Sequence, residues 1–313
     1  MNERQLEYVV AIAETGSFTA AAERCHIAQS ALSHQIARLE RHLGARLFER
    51  ASRPVRLTEA GRSLLPVAKR ILRDLADVRT ELRSIDGLVR GPLRIGATQT
   101  AVRVLDLLQL LADYDKAYPD VDLSILIGPG FELTDAVGSG QLDIAFGALD
   151  GPAPPDGLRF VPLGQTEPLV AVVAADHPLA GRPAVRLSQL AEQSRFIDFR
   201  PRTALWNKVE AMCRAAGVER PVMCELGNIP SMVGLAATGI AVTVVPRAFI
   251  EAGTDQPCAP AGVRALPLDE PDSHLMVGFF CGPPKMTAAP LRAFVELFSG
   301  DRHVLSRPAQ SSD

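Results

Sequence analysis

Four side chains in one short stretch, Gln29, Ser30, Ser33 and His34, have the types and spacing of a surface that reads base edges. Amides, hydroxyls and an imidazole match the donors and acceptors that base pairs show in a major groove. Helical spacing sets the four on adjoining positions of one face. Arg38, Arg41, Arg46, Arg50, Arg53 and Arg56 follow, and guanidinium groups suit phosphates. Ser17 and Thr19, at the start of the preceding helix, complete the candidate DNA-contact set. Hydrolytic or phosphoryl-transfer chemistry finds no comparable constellation. P-loop, dinucleotide-binding glycine, G-x-S-x-G and zinc signatures are all absent, so no catalytic residue, cofactor or metal is assigned. His26, His34 and His42 recur every eight residues, which rotates them onto different faces and separates them as metal ligands.

The elements that must carry this surface are two helices and a turn. "RQLEYVVAIAETG" sets Leu6, Val9, Val10 and Ala13 on one face, and Gly16 ends that helix. Ser17 caps a second helix rich in small residues, "CHI" breaks it, and a third runs from about Gln29 to His42 with Leu32, Ile36 and Leu39 inward before Gly44. Two short helices joined tightly, the second polar and basic outside, have DNA-reading geometry.

Charge agrees. The chain of 313 residues has a net charge of −3, yet residues 1–90 hold 15 basic and 11 acidic side chains. A basic head on an acidic body directs only the head toward a polyanion. No stretch approaches a membrane span or an export signal. Five scattered cysteines, Cys25, Cys213, Cys224, Cys258 and Cys281, fit a reducing compartment. A cytoplasmic protein without membrane partners is expected.

"FTAAAERCHIAQSALSHQIARLERHLGARLFER", followed by "RPVRLTEAGRSLLPVAKRIL", resembles the amino-terminal domain of LysR-type transcriptional regulators, and the likeness continues to "GIAVTVVPR". It implies an α/β multidomain chain: an N-terminal winged helix-turn-helix, a long linker helix, and a C-terminal two-lobed α/β effector domain like a periplasmic binding protein. "ASRPVRLT" would be the wing, with Arg53 reaching the minor groove or its phosphates. The family often has proline where Ser30 stands, arginine at His34, leucine at Cys25 and a capping hydroxyl at Ala28.

From Thr58 a helical pattern runs to about Asp86. Leu64, Ala68, Ile71, Leu75, Val78, Leu82 and Ile85 form a heptad stripe suited to a second copy of the chain. The expected domains are 1–57 for the winged helix-turn-helix, 58–87 for the linker and 92–302 for the effector domain. Its lobes would be 92–163 plus 268–302, and 164–267, followed by a disordered tail at 303–313. The expected partners are a pseudo-palindromic duplex operator, a small anionic effector, further copies forming a dimer or tetramer, and RNA polymerase.

Strands and helices alternate in the body. In the implied fold, strand ends and helix starts surround a cleft. Thr98, Gln99 and Thr100 follow the first strand, and Gly130 and Phe131 a later one. Phe199, Arg200, Arg202 and Thr203, with Asn228, face them from the second lobe. These are the candidate effector residues, with an arginine as the anion partner. Three rivals stand beside this reading: a solute-binding protein, an enzyme, and a redox-responsive regulator gated by oxidation of Cys25 at the helix-turn-helix turn. Cys213 and Cys224 form a weaker candidate disulfide.

Overall fold

Asn2 opens the first helix with a reciprocal cap. In the computed structural model, its side chain accepts the Gln5 N–H at 3.0 Å and Gln5 Oε1 accepts the Asn2 N–H at 3.2 Å. The structure describes residues 1–49, 54–83, 89–149, 151, 153–251, 262–282 and 288–299. Arg50, Arg53, Ile85, Cys258 and the expected tail at 303–313 lie outside the described residues. The chain divides into two units, Met1–Gly91 (with Ser139–Gln141) and Pro92–Gly138 with Leu142 onward, and each is taken by itself below.

The first unit is a helical head. Helix α1 (Glu3–Thr15) ends at Gly16 in a left-handed conformation, φ +62°. Ser17 caps α2 (Phe18–Arg24) by accepting the Ala20 N–H, and the chain reverses through His26 at φ +54°. α3 (Gln29–Leu43) starts at Ala28 without a side-chain cap and stops at Gly44. Strands β1 (Phe48–Glu49) and β2 (Arg56–Leu57) pair antiparallel as a short wing. Val9, Ile12, Ala21, Leu32, Ile36, Leu39, Leu47 and Phe48 fill the core. Gly61, in the first turns of α4 (Glu59–Arg83), passes so close to the wing that a Cβ would lie 2.2 Å from the Leu47 carbonyl oxygen. The heptad stripe of α4 divides. Leu64 packs on the head's own core and Ala68 is fully buried, whereas Leu75 and Val78 are exposed.

The second unit is built on two sheets that share one strand. Their combined order is β4–β3–β5–β11–β6–β9–β7–β8, with β10 (Val263–Pro267) also on β6. The first lobe contains β3 (Gly91–Ala97), β4 (Val121–Ile127), β5 (Ile144–Ala148) and β11 (His274–Cys281). β7 (Phe196–Phe199), β8 (Val222–Leu226) and β9 (Val242–Pro246) belong to the second. β6 (Arg159–Ala174) runs unbroken through both, pairing with β11 as far as Pro168 and with β9 from Leu169. The change of sheet thus falls inside a strand, five residues beyond the expected 163/164 boundary, because the apolar run of Leu169–Val173 belongs to the second core.

"VRVLDLLQLLADYDKAYP" holds a break that its apolar spacing hides. α5 (Gln99–Val104) and α6 (Leu107–Ala117) are separated at Asp106, φ +49°. The second lobe carries α8 (Leu187–Gln193), α9 (Ala204–Ala215) and α10 (Ile229–Ala236). α7 (Gly130–Gly138) and the closing α11 (Ala289–Ser299) belong to the first. Phe294 of α11 meets Tyr114 at 5.2 Å and Phe146 at 6.1 Å between ring centroids, which anchors α11 on the first lobe.

At the crossover, Glu167 of β6 is 8% exposed and its Oε1 accepts the Ala248 N–H at 2.7 Å. Burial, partly offset by that hydrogen bond, raises its pKa above the ordinary 4.5. The folded chain therefore holds this proton more tightly than the unfolded one. Its contribution is complete below about pH 4.5 and is lost as pH rises through the raised value. Glu167→Gln keeps an acceptor for Ala248 but cannot ionise. Its melting temperature relative to wild type is expected to improve from pH 4.5 to pH 7.5, and melts at both pH values check the sign.

Candidate functional site

α3 separates its two faces cleanly. Leu32, Ile36 and Leu39 are fully buried, while Gln29, Ser30, His34 and Arg38 are exposed and Ser33 is half-buried. Gln29 Nε2 donates to Ser33 Oγ at 3.0 Å, so the two are ordered together and the amide oxygen stays free for a base edge. Thr19 and Arg56 are also exposed, whereas the Ser17 hydroxyl is occupied by its cap. Glu40 points inward, 9% exposed, and accepts the Leu47 N–H at 2.8 Å and the Phe48 N–H at 3.4 Å. It ties the end of the reading helix to the start of the wing. The sequence reading missed it, although a carboxylate four residues after Ile36, on the apolar face, is a visible signal.

A cavity of about 230 Å³ opens between the two lobes of the second unit. Of the candidate effector residues, Thr98, Gln99, Thr100, Gly130, Phe199, Arg200 and Thr203 line it, and Phe131, Arg202 and Asn228 do not. The Arg202 guanidinium sits 5.1 Å from the Phe131 ring centroid, and Asn228 Oδ1 caps α10 through the Ser231 N–H at 2.8 Å. Apolar wall comes from Ile127, Ala148, Leu205 and Leu275, which carried no distinguishing signal in the sequence.

The polar groups of the cavity are unequally engaged. Thr98 and Thr203 cap α5 and α9, accepting the Ala101 N–H at 3.2 Å and the Trp206 N–H at 3.3 Å. The Thr100 hydroxyl makes no hydrogen bond among the described residues. Arg200 is the one charged side chain lining the cavity, and no carboxylate pairs with it among the described residues. Its guanidinium lies beside Gly227, where a Cβ would come within 3.5 Å of Nη2.

Below this wall a buried ion cluster fixes β7. Arg220 Nε and Nη2 reach Asp198 at 3.1 and 2.7 Å, and Nη1 reaches Glu210 at 2.8 Å. The Arg220 and Asp198 side chains are only 5% and 6% exposed. This bidentate pair anchors the strand that delivers Phe199 and Arg200.

A serine and a histidine do meet elsewhere: His177 Nε2 lies 2.8 Å from Ser194 Oγ. His177 Nδ1 accepts the Leu179 N–H, which leaves the proton on Nε2, pointing at the serine. In that tautomer the ring cannot take the hydroxyl proton, so the pair is not an activated nucleophile. Among the described residues no group of three or more His, Cys, Asp or Glu is arranged to hold a metal ion.

Residues 3–62 match the bacterial regulatory helix-turn-helix domain of the lysR family, and residues 86–301 match the LysR substrate binding domain. The chain is 36% identical over 252 residues to the HTH-type transcriptional regulator BudR of Raoultella terrigena, covering 80% of this chain and 86% of that protein. It is 30% identical over 297 residues to a hydrogen peroxide-inducible genes activator of Pectobacterium carotovorum subsp. carotovorum, covering 95% and 94%. Full-length CbnR complexed with its target DNA shares the fold at a TM-score of 0.66, with 23% identity over 96% of this chain and 99% of that one.

Likeness to a peroxide-inducible activator directs attention to the thiols. Cys25, Cys213, Cys224 and Cys281 are all free, and none lines the cavity. Cys25 is half-buried against the helix-turn-helix core. Burial first, then the nearby Glu7 carboxylate, push its thiol above the ordinary range, and Arg24 only partly offsets them. Arg24, which would favour a thiolate, is thus outweighed. At pH 7.5 Cys25 is expected to alkylate more slowly with iodoacetamide than a free cysteine, as peptide mapping would show.

Proposed function

The chain belongs to the LysR family of bacterial helix-turn-helix transcriptional regulators, and on that premise we propose that a small anion in its cleft sets how it acts on DNA. One observation carries the effector reading. The cavity is lined by a single charged side chain, Arg200, with free hydroxyl capacity at Thr100 and apolar wall around it. A cavity of 230 Å³ is smaller than the range of about 300–1,000 Å³ typical for drug-sized ligands, which favours a compact carboxylate.

DNA is bound by the head. Gln29, Ser30, Ser33 and His34 read base edges, Ser17 and Thr19 support them, and Arg38, Arg50, Arg53 and Arg56 take phosphates. The exposed stretch of α4 at Leu75 and Val78 favours a second copy, and the resulting two-fold symmetry favours a pseudo-palindromic operator. A tetramer and contact with RNA polymerase belong to the same reading, as does action in the cytoplasm. No helix among the described residues is long and apolar enough to cross a membrane. The role is regulatory rather than catalytic. Effector binding would select one lobe arrangement and so bias the paired heads.

The test starts from DNA selected by the full-length chain from a random pool. The Gln29→Ala, Ser33→Ala double substitution is expected to lower affinity for the selected sequence at least tenfold, about 1.4 kcal/mol or more at two lost base contacts. Small carboxylates would then be screened for an altered gel shift of the wild-type complex. At least one should act, and Arg200→Ala should remove its effect. Failure to enrich any sequence would sink the DNA reading, and a response unchanged in Arg200→Ala would sink the anion site.

A further inference from the structure

Gln99 stands on the first turn of α5 in the first lobe, yet both ends of its amide are held by the second lobe. Its Nε2 donates to the Gly227 carbonyl at 3.0 Å, and the Ile229 N–H donates to its Oε1 at 3.4 Å. One orientation of the amide satisfies both bonds, and the flipped one would satisfy neither.

These two bonds complete the start of α10. A helix leaves its first N–H groups without partners inside the helix. In α10 the Ser231 N–H is taken by Asn228 Oδ1 at 2.8 Å, and Pro230 has none to offer. The Ile229 N–H is taken by a group from the opposite lobe. Two N–H groups at the start of α10, those of Ile229 and Ser231, are thus taken by the protein's own side chains.

The far end of α5 is also held across the lobes. Arg103 Nε donates to the Ala248 carbonyl at 3.0 Å, and Ala248 in turn gives its N–H to buried Glu167 on the shared strand. Arg202 of the second lobe covers Phe131 of the first at 5.1 Å. Arg103 is thereby tied to the crossover on β6 through Ala248 and Glu167. Gln99, at the cavity, lies at the opposite end of α5.

We propose that Gln99 is a clasp between the lobes: a positioning residue that fixes the closed cleft by sealing α10, rather than a ligand of the effector. The proposal rests on reading the cavity as the effector cleft, but its test needs no effector. The anion in the cleft meets Arg200 and Thr100, while Gln99 reports whether the walls are together. Opening the cleft would break both of its bonds at once and expose the Ile229 N–H, along with the loss of the Arg202–Phe131 contact.

The experiment is amide hydrogen exchange resolved at single residues in the full-length chain, comparing wild type with Gln99→Ala and with Gln99→Met, which keeps the side-chain volume. Ser231 is the internal control, because its N–H is capped from within its own lobe. Exchange at Ile229 is expected to accelerate at least fivefold in both variants, with Ser231 within twofold of wild type. A smaller acceleration at Ile229 in either variant would overturn the clasp. Equal acceleration at both residues would overturn it too, because it would mean that α10 had loosened as a whole. A carboxylate screen that failed while the exchange result held would count against the effector reading and leave the clasp standing.

Discussion

Strand β6 belongs to two sheets at once, and that constraint organises everything in the second unit. Arg159–Pro168 pairs with β11 in one lobe and Leu169–Ala174 with β9 and β10 in the other. Ladders on both sides of the crossover, the one to β11 with an irregularity between Met276 and Gly278, tie both lobes to one strand. The cavity walls are consequences of this. β3 and α5 approach from one sheet, β7 and β8 from the other, and the residues between them line the space. Glu167, buried where the strand changes partners, orders the turn that Arg103 grips, so the crossover and α5 are linked by hydrogen bonds.

In the head the corresponding constraint is the two-faced α3. Its inner face must pack Leu32, Ile36 and Leu39 against α1 and α2, which leaves the outer face to polar groups. The helix gains nothing from a cap at Ala28, a loss of about 1 kcal/mol relative to a serine or threonine there. Tertiary packing and the Glu40 bonds to the wing hold it instead. Along α4 the apolar stripe changes character: Leu64 packs on the head's core and Ala68 is fully buried, whereas Leu75 and Val78 are exposed.

Much of this was legible before any coordinates. The capping residues, Gly16 and Gly44 mark the head helices because they act locally, and local chemistry is what a sequence displays directly. Thr98, Thr100, Arg200 and Thr203 were legible for a related reason, since a strand end followed by a cap is a short-range pattern. What stayed hidden depends on distant parts of the chain. The break at Asp106 is invisible in the apolar spacing, which continues across it. Arg220 meets Asp198 only after β7, α9 and β8 have folded together, and nothing near Arg220 announces its partner. The heptad stripe misled in one respect, because periodicity cannot tell an intrachain core from an intermolecular seam. At Cys25, Arg24 is adjacent in sequence, while Glu7 and the core around it are adjacent only in space.

In the proposed function, a basic, two-faced head grips duplex DNA through phosphates while a few α3 side chains read bases. Fluorescence anisotropy of the full-length chain on its selected operator, across a range of salt concentrations, separates the two contributions. Log affinity should fall linearly with log salt, and Arg38→Ala or Arg56→Ala should each make the slope shallower by about 0.9. Gln29→Ala should weaken binding and leave the slope unchanged. A slope indifferent to both arginines, or affinity that survives the loss of Gln29, would contradict the assignment of that face to DNA.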